Sequence, residues 1–338
     1  MKTGILLINL GTPDSPKTAD VRKYLTQFLN DPRVIDINPI GRFLLVNGII
    51  VPFRSSKSAK LYEKIWTKEG SPLLVNSIKQ KELLQKELGS NYWVELGMRY
   101  QSPSIESAIN NLKAAGVNKI IAIPLYPQYA TSSTTSSIEE TDRILKKWEN
   151  HPPIKYIENF FDNTDFIEAI VDRASKYNLN DYDYFIFSYH GLPERQITKA
   201  SKEFSDGSCK IGTCCDVITD KNRFCYRANC IATTKALVKK LNIPNGKYQT
   251  TFQSRLDDKW LKPYSDKVIE EKAKEGKKKI LVFSPAFVSD CLETIYEIGT
   301  EYQEIFIEHG GEKIQLVESL NDSKVWIQAL KNIILYKE

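Results

Sequence analysis

The sequence predicts an α/β fold of two similar Rossmann-like halves, each a parallel sheet flanked by helices, and three observations carry this. Short runs of β-branched and aromatic residues alternate with longer stretches whose apolar residues recur at helical spacing, the pattern of βα units. The 338-residue length suits two domains of ~100–200 residues each. The halves also repeat one plan. Each opens on a strand running into a Gly/Pro turn (LGTP at 10–13, HGLP at 190–193), and each later has a strand that ends in proline and an aromatic (IPLYP at 123–127, SPAF at 284–287).

Taken in order, the first strand is expected over 4–10. Its apolar run is too short for a secretory signal, is interrupted by Asn9 and ends in a turn. A helix over 19–29 follows. The most apolar stretch, 40–53 (IGRFLLVNGIIVPF), is broken by Arg42 and Asn47. It fits either a buried helix plus loop or an exposed apolar lip around a pocket or against a membrane surface. A helix over 104–115, a strand over 119–124 and a helix over 135–148 complete the first half. The hydroxyl tract TSSTTSS (131–137) reads as loop and helix cap.

The halves are expected to join near 152–162. Helices at 166–176, 226–241 and 260–274 then alternate with strands at 184–190, 248–253, 279–284 and 313–317, and a helix over 323–335 closes the chain. The domains are thus expected at 1–155 and 156–310, the second with a cysteine-rich insertion about 205–230, and 311–338 is expected to pack back on the body. In open parallel sheets ligands bind outside the carboxyl ends of the strands, so the four matching strand ends are expected to face one cleft.

Composition narrows the partners. The hydrophobic share of 41% and charged share of 26% are ordinary for a globular protein, and the net charge is +5. Basic residues are scattered apart from Lys277-Lys278-Lys279, so nothing calls for nucleic acid. No run approaches the ~20 apolar residues of a membrane span. The expectation is a cytoplasmic protein, monomer or homodimer, with at most peripheral contact at the inner membrane.

One of three histidines, His190, ends the apolar run FIFSYH. On local pattern alone it is a hydrogen-bonded strand-end histidine as readily as a chemical group. Glu293, Glu297 and Glu301 fall at i, i+4 and i+8 after a possible cap at Ser289 or Asp290. They read either as a capping box with a solvated face or as a file of carboxylates for cations or protons. Imidazole plus carboxylate is a fitting donor set for a divalent first-row ion such as Fe²⁺. His151 and His309 have no such context and are expected at the surface. Five of six cysteines lie in the pattern C-x4-CC-x9-C-x4-C over 209–230, dense enough in a reducing compartment to favour a metal centre over disulfides. Spacing leaves zinc, iron–sulfur and free thiols open.

SYHGLP (188–193), FVSDCLETIYEI (287–298), PLYPQY (124–129), GSPL (70–73) and GMRY (97–100) resemble the ferrochelatase family, from INLGTP at 8–13 to ESLNDSKVWIQAL at 318–330. The resemblance implies two chelatase-type domains that clamp a porphyrin and insert Fe²⁺ into it, with release of two protons, at the end of haem synthesis. It implies catalytic roles for His190, Glu293 and Glu297, with His190 and Glu293 meeting the iron. Arg54 and Ser71 match propionate-holding groups, Leu10, Tyr126 and Phe287 macrocycle walls, and Arg99 and Tyr100 further substrate contacts. Cys291 stands where animal members have histidine. It also implies a 2Fe–2S cluster held by four of Cys209, Cys214, Cys215, Cys225 and Cys230; Cys209, Cys225, Cys230 and one of the adjacent pair is the set expected, since neighbours seldom reach one cluster comfortably. Other readings are a coproporphyrin ferrochelatase, a chelatase loading cobalt or nickel, or a non-catalytic porphyrin or haem carrier. A carrier needs neither a base nor an acidic file.

Overall fold

The computed structural model describes residues 2–336. The chain divides into two compact units: residues up to Tyr126, Thr131–Asn159 and from Asn321 on, and Pro127–Ala130 with Phe160–Leu320.

In the first unit a parallel sheet of four strands has the order β2-β1-β3-β4. The strands are β1 (Thr3–Gly11), β2 (Tyr92–Tyr100), β3 (Lys119–Pro124) and β4 (Ile154–Tyr156). Nearly every residue of β1 is buried, as expected of a central strand covered on both faces. Helices α1 (Thr18–Leu29), α2 (Pro39–Leu44), α3 (Val51–Ile65), α4 (Pro72–Leu88), α5 (Ile105–Ala114) and α6 (Ser136–Leu145) connect them. The Ser104 hydroxyl accepts the Ser107 amide at the start of α5, and Ile105, Ala108, Ile109 and Leu112 recur at helical spacing to fill one side of the core with Leu6, Ile8 and Ile120.

The second unit repeats the plan with the order β6-β5-β7-β8. Its strands are β5 (Tyr184–His190), β6 (Tyr248–Gln253), β7 (Lys279–Phe283) and β8 (Lys313–Leu316). Its helices include α7 (Thr164–Ala174), α8 (Glu194–Phe204), α9 (Tyr226–Leu241), α10 (Ser265–Lys274) and α11 (Gln303–Glu308). Asn163 caps α7 by accepting the Asp165 and Phe166 amides. The last helix, α12 (Lys324–Tyr336), belongs to the first unit, where the Gln80 amide on α4 donates to the Asn321 carbonyl at 2.8 Å.

Several elements differ from expectation. Strand β2 carries no clear strand pattern in the sequence, because Glu95, Gly97 and Arg99 interrupt its apolar run. Glu95 is nevertheless buried, satisfied by Trp93 Nε1 at 2.9 Å and Lys81 Nζ at 3.3 Å. Helix α10 begins at Ser265 rather than 260, because Pro263 keeps Lys262 out of the helical region. The 40–53 stretch is helical through α2, a π-helical turn over Leu45–Ile50 and the start of α3. It is not a buried helix: Ile40 is 75% exposed and Phe53 73%. No helix among the described residues is long and apolar enough to cross a membrane.

Candidate active site

In the order β2-β1-β3-β4, chain connections leave β1 and β3 in opposite directions, and the same holds at β5 and β7. Such switch points open a crevice at the strands' carboxyl ends. In the second unit that edge is formed by His190 at the end of β5 and the turn after β7, which carries Phe287. Their rings meet edge to face with centroids 6.4 Å apart. His190 is half-buried, and its carbonyl accepts the Tyr226 hydroxyl at 2.8 Å. The next residue must be glycine: a Cβ on Gly191 would stand 2.6 Å from the Gln253 carbonyl, which already accepts the Gly191 amide at 2.8 Å.

Glu293 opens a π-helix over Glu293–Tyr302, a form in which residues five apart share a face and which recurs at functional sites. Asp290, just before it, accepts the Thr294 hydroxyl at 2.9 Å. Burial, then the nearby Glu293 carboxylate, push the Cys291 thiol well up. Glu297 is not a loose member of an acidic file. It accepts from Gln253 Nε2 (3.1 Å), the Ser254 amide (2.9 Å), the Ser254 hydroxyl (2.5 Å) and the Tyr302 hydroxyl (2.9 Å). Burial, then Glu297, hold the Tyr302 phenol far above its ordinary value, so it stays a donor. Gln253 sits opposite His190 in the β5–β6 register and also donates to the Glu293 carbonyl at 3.1 Å. One buried residue, Gln253, thus pairs with His190 along the sheet and bonds the backbone of Glu293.

The first unit places Leu10, Arg54, Ser71, Arg99, Tyr100 and Tyr126 as follows. Leu10 is the half-buried next-to-last residue of β1, and Tyr126 follows β3 with its hydroxyl 3.5 Å from Ser137. Arg54 is exposed on α3. Ser71 is buried and accepts the Thr12 hydroxyl at 2.9 Å. Arg99 and Tyr100 converge on a residue the sequence reading missed, the buried Asp31. It accepts from Arg99 (2.6 Å), the Tyr100 hydroxyl (2.8 Å) and the Ser136 hydroxyl (2.6 Å). Burial, then Asp31, raise the Tyr100 phenol. Much of the donor capacity of Arg99 and Tyr100 is thus spent inside the protein. Of the other histidines, His151 is exposed and His309 half-buried, its Nδ1 2.8 Å from the Ile305 carbonyl.

The cysteine segment gathers thiols. Cys214 Sγ lies 3.9 Å from both Cys209 Sγ and Cys215 Sγ. A hydrogen bond from Cys225, then the Arg227 guanidinium, pull the Cys215 thiol down to about 5 against its burial, whereas burial pushes Cys209 up to about 12. Cys225 stands at the start of α9. Cys230, further along it, is fully buried with its thiol against the Tyr226 hydroxyl. Among the described residues no three His, Cys, Asp or Glu side chains already stand in metal-holding geometry.

A family model described as Ferrochelatase matches residues 2–338. The chain belongs to the ferrochelatase family. The ferrochelatase of Coxiella burnetii is 44% identical over 337 residues, covering 97% of this chain and 92% of the relative. That of Legionella pneumophila is 43% identical over 335 residues, covering 99% of both. Among solved structures, SirB from Bacillus subtilis with Fe³⁺ matches with a TM-score of 0.54 at 14% identity, covering 100% of this chain and 96% of that one, a likeness of fold. This ferrochelatase is therefore an enzyme, a lyase that inserts iron into a porphyrin.

Proposed function

We propose that the substrate is protoporphyrin IX, that Fe²⁺ enters it at the edge formed by His190 and Glu293, and that the reaction runs in the cytoplasm. The observation that carries this reading is the shared tether of the two residues: Gln253 faces His190 in the strand register and donates to the Glu293 carbonyl. Metalation must remove two pyrrole N–H protons and strip water from the ion. An imidazole with a reference pKa of ~6.5 accepts and passes protons near neutrality, and the Glu293 carboxylate would offer the ion an oxygen ligand. Phe287, in contact with the His190 ring, supplies an apolar wall for a flat macrocycle. Leu10 and Tyr126 provide walls in the first unit, and Arg54 and Ser71, with what donor capacity Arg99 and Tyr100 retain, serve the propionates. Glu297, which the family resemblance places in the catalytic set, acts through Gln253, the residue that also holds the Glu293 carbonyl.

Glu293→Gln keeps the shape and removes the charge. We expect metalation to fall at least ~100-fold with porphyrin binding retained; wild-type turnover would remove Glu293 from the reaction. Turnover with protoporphyrin and coproporphyrin side by side tests the substrate: faster, tighter use of coproporphyrin would overturn the choice.

The thiol group fits a 2Fe–2S cluster in its donors. Two thiolates on one tetrahedral metal at ~2.3 Å stand ~3.8 Å apart, close to the separations found. Arg227 Nη1 is buried without a hydrogen-bond partner beside Cys215, an orphaned cationic donor suited to an anionic centre. Contrary to the expected set of Cys209, Cys225, Cys230 and one of the adjacent pair, we assign the cluster to Cys209, Cys214, Cys215 and Cys225, since Cys214 stands 3.9 Å from both Cys209 and Cys215 and Cys230 is committed to the core at Tyr226. Bound there, it would cross-link the 209–215 loop to Cys225, the residue that precedes α9.

A further inference from the structure

The amide and hydroxyl groups around Glu297 decide what that carboxylate can do. A carboxylate offers about four lone-pair directions. All four on Glu297 are taken, Oε1 by the Ser254 amide and the Tyr302 hydroxyl, Oε2 by Gln253 Nε2 and the Ser254 hydroxyl. To bind a cation or accept a proton it would have to give up a donor inside a half-buried site. Ser254 reaches it from an unusual backbone, with φ +61°, where a non-glycine residue carries strain. That conformation aims the amide and hydroxyl of one residue at the same carboxylate.

The other end of the network is as fully used. The Gln253 side chain is 1% exposed; its Oε1 accepts the Ser188 hydroxyl at 2.7 Å, and its Nε2 serves both the Glu297 carboxylate and the Glu293 carbonyl. The flipped amide would set Oε1 against two acceptors, so the orientation is fixed. Ser188 lies two residues before His190 on β5 and shares the Ser265 hydroxyl with Thr251, each at 2.8 Å. A continuous chain of bonds thus runs from the strand that carries His190 to the turn of helix that carries Glu293.

We propose that Glu297 is a locked anchor, neither an iron ligand nor a proton carrier, and that Gln253 and Tyr302 are positioning residues that use it to hold Glu293 in place relative to His190. This rests on the reading of His190 and Glu293 as the reacting pair. Iron and protons then pass by Glu293 without a Glu293–Glu297 relay.

The test uses the full-length enzyme with Fe²⁺ and porphyrin, comparing Gln253→Met, Tyr302→Phe and, as control, Glu293→Gln. Outer-shell changes of this kind cost ~10–100-fold in activity. The anchor predicts that loss in kcat for Gln253→Met and a smaller one for Tyr302→Phe, with the porphyrin KM within about twofold of wild type and the fold retained by circular dichroism. A merely structural role would move KM and Tm without this split. Unchanged or raised kcat in Tyr302→Phe, whose Glu297 is freer, would overturn the anchor in favour of a relay. If Glu293→Gln keeps full activity, the underlying pair falls instead.

Discussion

Asp31 shows how much of a site rests on residues that no local pattern marks. It follows the end of α1, and its three donors come from 68 to 105 positions away. Removing one partner of a buried ion pair leaves the other charge uncompensated. Asp31→Ala should therefore destabilise the protein by about 3 kcal/mol in denaturant unfolding, and Ser136→Ala by less, near 1 kcal/mol. Equal small losses would mean that Arg99 does not depend on Asp31. Gly11 is a second such residue. Its φ is +105° and an added Cβ would stand 1.9 Å from the Tyr100 carbonyl, so Gly11→Ala should cost at least ~2 kcal/mol and disturb the Asp31 cluster. His190, by contrast, was legible as the end of an apolar strand, although its partner Gln253 was not. Strand pairing brings them together, and β5 and β6 are far apart in sequence.

At the scale of elements, the helix after Phe287 was expected but its π geometry was not, since spacing of carboxylates by four suits an α-helix too. The π form places Tyr302 five residues after Glu297, where its hydroxyl reaches the carboxylate. The cysteine segment makes its own prediction. Cys209→Ser and Cys225→Ser should abolish the visible absorbance and the bound iron and sulfide of anaerobically purified protein, whereas Cys230→Ser should keep both. Colourless wild-type protein with stoichiometric zinc would overturn the cluster. The backbone of the 278–279 segment anchors a carboxylate. Asp183 accepts the Lys278 and Lys279 amides at 2.7 and 2.9 Å, and the Lys279 bond is the leading reason its carboxyl lies below the usual range. A depressed carboxylate contributes stability above its ordinary value of 3.8 and loses it as pH falls through the lowered folded value. The Tm gap between wild type and Asp183→Asn should shrink from about pH 6 to about pH 3; a constant gap would refute the link.

For the whole molecule, the α/β class and the matched halves were readable because turn chemistry and strand endings repeat, and the two sheets have the same order about their first strands. What sequence could not give was long-range satisfaction of polar groups: Glu95 inside β2, Asp31 beneath Arg99, and Gln253 behind Glu293. Those bonds are made by topology, and periodicity reports only burial. The exposed apolar face of 40–53 was one of two readings left open by composition, because a helix can turn the same residues inward or outward. The central claim is that His190 handles pyrrole protons during iron insertion, and one measurement tests it most directly. Anaerobic protein offered Fe²⁺ and protoporphyrin should bleach free-porphyrin fluorescence, and His190→Ala should slow the bleaching at least ~100-fold while still binding the porphyrin. Bleaching at the wild-type rate in His190→Ala would contradict the account.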